Sequence, residues 1–124
     1  MFTFCELQKN CTFVMKVHLI RKKTIDAFAK KNVQSRLSFE ECCAKLKYAD
    51  WEKPEDIQAT FPSADLLGKG SSRIVINIGG NKYRMIGKYA FGDNQVHLFI
   101  CWIGTHAEYD KICDANEQYT ISNY

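Results

Sequence analysis

The sequence predicts an α+β domain in which helices come first and an antiparallel sheet comes later. Up to Tyr48, apolar residues recur at helical spacing after one short apolar run. Between Arg73 and Ile103, three segments with strand character are separated by two glycine-containing turn signals. The 124 residues suit one domain with a real core and are too few for two.

The domain is expected to begin with a short strand, which a helix follows. The apolar run Val17–Ile20 precedes a charged stop and predicts the strand. Thr24 is a suitable N-cap for a helix that reaches Lys31, because the apolar residues after it fall at positions i, i+3 and i+4.

A second helix is predicted from Ser38, which forms a capping-box pattern with Glu41, to about Tyr48. Pro54–Asp56 has the composition of a first helical turn, since proline is tolerated there and acids favour a helix N-terminus. Residues 61–72 are predicted to be loop.

Three strands follow, the first of them at Ile74–Ile78. Gly79–Asn81 supplies residues that tolerate positive φ in a hairpin, so the second strand, from about Lys82 to Phe91, should return antiparallel. A break at Gly92–Asn94 precedes the third strand, Gln95–Ile103. A short terminal helix is expected to begin near Thr105.

Side chains alternate across a strand, which predicts one apolar and one basic face for this sheet. On the second strand, the apolar face should carry Tyr83, Met85 and Tyr89, and the basic face Lys82, Arg84 and Lys88. On the third strand, the same parity groups Val96, Leu98, Ile100 and Trp102 opposite His97, Phe99 and Cys101.

Charge is segregated along the chain beyond what the net charge of +3 suggests. Residues 16–36 hold seven Lys or Arg and one acid, and residues 68–92 hold five and none. Such asymmetry creates a one-sided positive potential that attracts phosphates. A polyanionic partner is therefore predicted, with an ordinary solvated surface as the alternative.

Several classes of protein are disfavoured. No segment approaches the roughly 20 apolar residues that span a bilayer, and the N-terminus lacks the features of a secretory signal. We therefore expect no membrane partner and a cytoplasmic location. The six cysteines show neither Cys-x-x-Cys nor Cys/His ligand spacing, so we expect packed thiols, no metal and no cofactor.

Four ordered motifs resemble the HigB toxin family of type II toxin–antitoxin systems. They are Trp51–Ile57, Phe61–Asp65, Asn77–Arg84 and Ile103–Ile112, and the similarity extends from about Met15 to Tyr124. The resemblance implies a RelE/ParE-like fold and an mRNA interferase that acts chiefly on translated message at the ribosome. It also implies a helix-turn-helix antitoxin of the HigA type as partner and inhibitor.

The chain departs from the family pattern in two places. Residues 1–14 have no counterpart, so we expect an N-terminal extension of doubtful order ahead of a toxin domain at residues 15–124. Some relatives carry a lysine or arginine where this chain has Cys101, which argues against a clamp of two cations on the scissile phosphate.

Metal-independent RNA cleavage uses the 2′-hydroxyl as nucleophile, and three residues are candidates for assisting it. Arg84 has the planar guanidinium that binds two phosphate oxygens, and the ordinary pKa of a histidine such as His106 lies near neutrality. Tyr109 follows at i+3 on the terminal helix. The candidate RNA-binding cations are Lys22, Lys23, Arg73, Lys82 and Lys88.

Each candidate also has a structural interpretation. His106 could cap the helix after Gly104, Tyr109 could be a packed aromatic residue, and Arg84 could pair with Asp110 or Glu108. The function then lies among three alternatives. They are a ribosome-associated endoribonuclease toxin, a toxin of the same fold that inhibits a protein target such as DNA gyrase, and a non-catalytic RNA-binding module.

Overall fold

The computed structural model describes residues 14–124, in which five strands form one mixed sheet of order β1-β5-β4-β3-β2. Strand β1 pairs parallel with β5, and all other pairs are antiparallel. The elements are β1 (Lys16–Ile20), α1 (Lys22–Lys31), α2 (Arg36–Lys47), α3 (Asp56–Thr60), β2 (Asp65–Leu67), β3 (Arg73–Ile78), β4 (Tyr83–Phe91), β5 (Gln95–Thr105) and α4 (His106–Asp114). The predicted α+β class and the late antiparallel strands are confirmed.

Helix α1 begins earlier than predicted. It starts at Lys22, directly after β1, and the residue before it, Arg21, has a left-handed backbone with φ 69°. Thr24 lies in the first turn and is not the N-cap, because its N–H already donates to the carbonyl of Arg21 at 2.9 Å. The chain thus reverses direction in one residue, without a side-chain cap.

Helix α2 also begins before its predicted start. A 3-10 turn at Val33–Ser35 leads directly into Arg36, so Ser38 and Glu41 lie inside the helix and form no capping box. Within this turn, the buried Ser35 hydroxyl donates to the carbonyl of Asn32 at 2.6 Å.

The main core lies between one face of the sheet and the helices α1 and α2. Its largest fully buried side chains include Trp51, whose indole Nε1–H donates to the Thr60 hydroxyl at 2.9 Å. The apolar sides of β3, β4 and β5 face this core as the alternation predicts, with Ile76, Met85 and Leu98 fully buried.

A β-bulge in β5 changes the predicted parity. Ile86 pairs with Trp102 while Gly87 pairs with Ile100, so Cys101 is an extra residue on β5. Beyond this bulge the alternation shifts by one, and Trp102 packs on the opposite face from Ile100. The prediction that Trp102 shares a face with Ile100 was therefore wrong.

The sheet has one more strand than predicted. Residues 61–72 were expected to be loop, but β2 lies within them and pairs antiparallel with β3, with Asp65 opposite Val75. A strand of three residues at a sheet edge is too short to produce a recognisable alternation pattern.

The face predicted to be basic carries a second, smaller core. It consists of Val75, Ile86, Cys101, Trp102 and Ile112, and helix α4 and the segment after it cover it. A C-terminal backbone N–H, that of residue 123, donates to the carbonyl of residue 101 at 2.9 Å. The C-terminal segment is therefore tied to the sheet.

Arg73 also joins the C-terminal segment to the sheet through hydrogen bonds. Its side chain is 6% exposed, and its Nη1 donates to the carbonyls of Gln118 at 3.2 Å and Ile121 at 2.7 Å. Arg73 is therefore not a surface cation, because the C-terminal segment buries its guanidinium, and its role in RNA binding stays a prediction.

Of the predicted N-terminal extension, residues 1–13 lie outside the described residues. Met15 is buried, its N–H donates to Asp50 Oδ1 at 2.9 Å, and its carbonyl accepts from the Trp51 N–H at 3.1 Å. Across residues 14–124, none of the helices is both long and apolar enough to cross a membrane.

Candidate active site

Arg84 lies in the middle of the sheet, on the face opposite α1 and α2. It pairs with Asn77 of β3 and Gly104 of β5. Arg84 lies on the face that the alternation predicted to be basic, but it is only 9% exposed. One guanidinium nitrogen, Nη1, donates to the carbonyl of Tyr83 at 3.2 Å.

The charge of Arg84 has no carboxylate partner within residues 14–124. The ion pairs in that part of the chain are Lys22–Asp26, Lys45–Glu41 and His106–Asp110. The alternative in which Arg84 pairs with Glu108 or Asp110 is thereby contradicted. A buried cation without a counter-ion is costly, and a bound anion would remove that cost. Arg84 is therefore suited to hold a phosphate group.

Helix α4 begins two residues after the strand partner of Arg84. Thr105 is its N-cap, and a complete capping box joins it to Glu108: the Glu108 N–H donates to Thr105 Oγ1 at 3.2 Å, and the Thr105 N–H donates to Glu108 Oε1 at 2.8 Å. His106 is the first helical residue, and its N–H donates to the carbonyl of Lys82 at 3.0 Å. The interpretation of His106 as a cap was therefore wrong.

The junction between β5 and α4 requires glycine at position 104. A Cβ atom built there would lie 2.4 Å from the Trp102 ring and 2.8 Å from Glu108 Oε1. The absent side chain thus lets the indole and the capping carboxylate lie together directly beside Arg84.

His106 has a partner that the sequence interpretation missed. Its Nδ1 lies 3.2 Å from Oδ2 of Asp110, one helical turn later, and both side chains are about half exposed. A carboxylate at Nδ1 holds the proton on that nitrogen, leaves Nε2 open and stabilises the charged imidazole. The i, i+4 spacing of a histidine and an aspartate at a predicted helix start is the signal that could have revealed Asp110.

Tyr109 faces the sheet from the first turns of α4. Its ring lies against Trp102, with 6.2 Å between the ring centroids, and it contacts the second core. Burial, followed by the neighbouring Cys113, raises the pKa of the Tyr109 hydroxyl well above its ordinary value, while the Arg84 charge acts in the opposite direction. The phenol therefore stays protonated at neutral pH and can donate a hydrogen bond or a proton.

The candidate RNA-binding lysines divide into two groups. Lys82 and Lys88 are exposed; Lys82 lies in the turn directly before β4, and Lys88 lies on β4, four residues beyond Arg84. Lys22 pairs with Asp26 at 3.4 Å and lines the groove between α1 and α2, and Lys23 lies beside it on α1. Because both helices cover the other face of the sheet, the structure does not bring Lys22 and Lys23 to Arg84.

The four cysteines of the described chain are free thiols. Burial raises the pKa of the Cys42 thiol to about 12, so it stays protonated and is a poor nucleophile. Within residues 14–124, no group of three or more His, Cys, Asp or Glu side chains is arranged to hold a metal ion.

The same region matches a family of known proteins. Residues 35–112, which include Arg84, His106 and Tyr109, match the family described as HigB toxin, the RelE-like toxic component of a toxin–antitoxin system. The chain is similar to the mRNA interferase HigB of Escherichia coli O6:H1, with 29% identity over 96 residues, which are 77% of this chain and 91% of that protein. It is also similar to the mRNA interferase toxin HigB of Escherichia coli K12, with 30% identity over 94 residues, which are 76% of this chain and 88% of that protein.

Proposed function

The chain belongs to the HigB family of RelE-like toxins, and from that premise we propose that it is an mRNA interferase of a type II toxin–antitoxin system. In this proposal it is an endoribonuclease that cleaves translated message at the ribosome. The similarity to proteins named mRNA interferase HigB supports the activity. The observation that carries the site is the buried guanidinium of Arg84, a residue that has no counter-ion among residues 14–124 and pairs with Gly104, two residues before α4 begins.

The proposed reaction is attack of a 2′-hydroxyl on the adjacent phosphorus. Nε2 of His106 accepts the proton of the 2′-hydroxyl, and Asp110 stabilises the imidazolium that forms. Arg84 stabilises the negative charge on the phosphate oxygens, and the protonated Tyr109 donates its proton to the departing 5′-oxygen. The products are a 2′,3′-cyclic phosphate and a 5′-hydroxyl, and solvent returns the proton from His106 to Tyr109.

The RNA approaches, in this proposal, along the face of the sheet that carries Arg84. Lys82 and Lys88 bind backbone phosphates there, because both are exposed, Lys82 in the turn directly before β4 and Lys88 on β4 itself. Lys22 and Lys23 lie on α1, on the other face of the sheet, so their proposed contacts with RNA phosphates are away from Arg84.

The proposed partner is a helix-turn-helix antitoxin of the HigA type, and the proposed location is the cytoplasm. An antitoxin that covers the cationic face would neutralise the charge that attracts RNA. Residues 1–14 are proposed to be an addition that the toxin domain at residues 15–124 does not need.

The ends of the cleaved RNA test the proposed activity directly. We expect expression of the chain without an antitoxin to arrest growth, and primer extension on a reporter message to show new ends that carry 5′-hydroxyl groups and 2′,3′-cyclic phosphates. Growth arrest with an intact message would instead favour the toxin of the same fold that inhibits a protein. RNA binding without either effect would favour the non-catalytic module.

Replacement of Tyr109 by phenylalanine tests its role as a proton donor. We expect Tyr109→Phe to slow cleavage by about 100-fold or more, since proton transfer by a side chain typically contributes factors of about 100 to 10,000. Because the pKa of Tyr109 is raised, the hydroxyl is protonated throughout the neutral range, and the ratio of wild-type to variant rate should stay constant from about pH 6 to about pH 9. A ratio that rises with pH would show that the phenolate is the active form and would contradict the role.

A further inference from the structure

A single row of paired residues crosses the sheet on the Arg84 face. Arg73 of β3 pairs with Lys88 of β4, Lys88 pairs with Phe99 of β5, and Phe99 pairs with Ile20 of β1. Directly paired residues point to the same side of a sheet, and Lys88 shares the parity of Arg84. Arg21 follows Ile20 at the end of this row.

An open cavity of about 540 Å³ lies over the row. Its lining includes three cations, Arg21, Arg73 and Lys88, and none of its lining residues is acidic. The same three charges act on the Cys101 thiol in this lining: burial raises its pKa, and the three cations lower it. Three positive charges therefore lie around this cavity.

Two of the three cations are open to a ligand. Arg73 is buried and donates to the carbonyls of the C-terminal segment. Arg21 and Lys88 are exposed, and within residues 14–124 neither belongs to an ion pair. Like charges directly opposite each other, as Arg73 and Lys88 are, destabilise a sheet, and an anion in the cavity would relieve this repulsion.

The cavity also presents aromatic rings. Phe99 is 38% exposed and Tyr124 is 39% exposed, and both line it. Exposed aromatic side chains beside cations characterise sites for single-stranded nucleic acid, where bases stack on the rings and phosphates contact the charges. The proposed cleavage by Arg84, His106 and Tyr109 does not require an exposed phenylalanine at position 99, and Phe99 is not part of the second core.

We propose that this cavity is a second nucleotide subsite, which holds an unpaired nucleotide of the RNA whose scissile phosphate lies at Arg84. A base stacks on Phe99, and Arg21 and Lys88 contact the phosphate next to it. The inference rests on the proposed RNA cleavage at Arg84. Lys88 lies four residues from Arg84 on an extended strand, about 13 Å away, so the two subsites contact different nucleotides of one strand.

The experiment measures binding separately from cleavage. Fluorescently labelled 2′-O-methyl oligoribonucleotides of two and eight nucleotides, which a 2′-hydroxyl mechanism cannot cleave, are titrated with the purified protein. The variants are Phe99→Leu, Phe99→Trp, Lys88→Gln and Arg21→Gln. The matched controls are Phe91→Leu, at an equally exposed phenylalanine that pairs with the core residue Val96, and Lys53→Gln, at an exposed lysine elsewhere.

We expect Phe99→Leu to weaken binding of the eight-nucleotide RNA on the order of tenfold, Phe99→Trp to retain it, and Phe91→Leu to leave it unchanged. Lys88→Gln and Arg21→Gln should each reduce the slope of log K against log salt concentration by about 0.7, and Lys53→Gln should not. Binding of the dinucleotide should not respond to any of these substitutions.

Two results would overturn the subsite. In the first, Phe99→Leu and Lys88→Gln bind the eight-nucleotide RNA as tightly as wild type. In the second, these substitutions weaken binding of the two-nucleotide and eight-nucleotide RNAs equally. If the variants show the expected binding pattern but the wild-type chain cleaves no message in cells, the subsite is supported and only the proposed cleavage is contradicted.

Discussion

Arg84→Met is expected to reduce cleavage on the order of 100- to 1,000-fold, because it removes a preorganised donor from the phosphate on which negative charge develops. The same substitution should leave the free energy of unfolding within about 1 kcal/mol of wild type. It removes one hydrogen bond, to the Tyr83 carbonyl, but it also removes a buried charge that has no counter-ion within residues 14–124. Cleavage of a reporter message and urea denaturation are the two measurements.

Arg73→Met is the matched control, since both arginines are buried on the same face of neighbouring strands. Arg73 donates to two carbonyls of the C-terminal segment, so its loss should cost about 2–3 kcal/mol of stability. Arg84→Met should therefore lose activity but keep its stability, whereas Arg73→Met should lose stability. Unfolding of Arg84→Met at much lower urea than wild type would show that Arg84 is a structural residue.

His106→Ala is expected to lower cleavage about 100-fold or more, while RNA affinity stays close to wild type, because a proton-transfer group contributes mainly in the transition state. Asp110→Asn should have a smaller effect, about tenfold, since Asp110 orients the imidazole and stabilises its charged form. Asp114→Asn, at an exposed acid in the last turn of the same helix, is the control for charge.

Soluble His106→Ala protein that still arrests growth and cleaves message like wild type would remove His106 from the mechanism. Equal losses of cleavage activity in Asp110→Asn and Asp114→Asn would show that the rate depends on the net charge of α4 and not on the contact between Asp110 and His106. Thermal unfolding of each variant separates these effects from misfolding.

The later half of the fold follows from local sequence signals. Strands β3, β4 and β5 have long β-branched or alternating runs, glycines that adopt positive φ form the hairpin at positions 79 and 80, and Thr105 with Glu108 starts α4. Here local propensity, turn chemistry and tertiary pairing agree, so the order of these elements and the approach of α4 to Arg84 could be predicted.

Other features depend on tertiary contacts that no local pattern reports. Helix α1 begins at Lys22 because Arg21 adopts a left-handed backbone, which an arginine rarely does. The burial of Arg73 depends on a C-terminal segment that folds back over the sheet, and the position of Trp102 depends on a single unpaired residue. The candidate residues Arg84, His106 and Tyr109 could be selected by chemistry, whereas Asp110 is recognised only when its i, i+4 spacing from His106 is considered.

The bulge at Cys101 has a consequence for how the chain can diversify. Because of the bulge, Cys101 and Trp102 both contact the second core, whereas their neighbours Ile100 and Ile103 both belong to the main core. Residues of β5 on the Arg84 face can therefore be substituted without altering the side chains that this strand contributes to the main core. Deletion of Cys101 would leave a regular alternation in which Ile100 still faces the main core and Trp102 still faces the second core, so the bulge adds a residue to β5 without reversing either face.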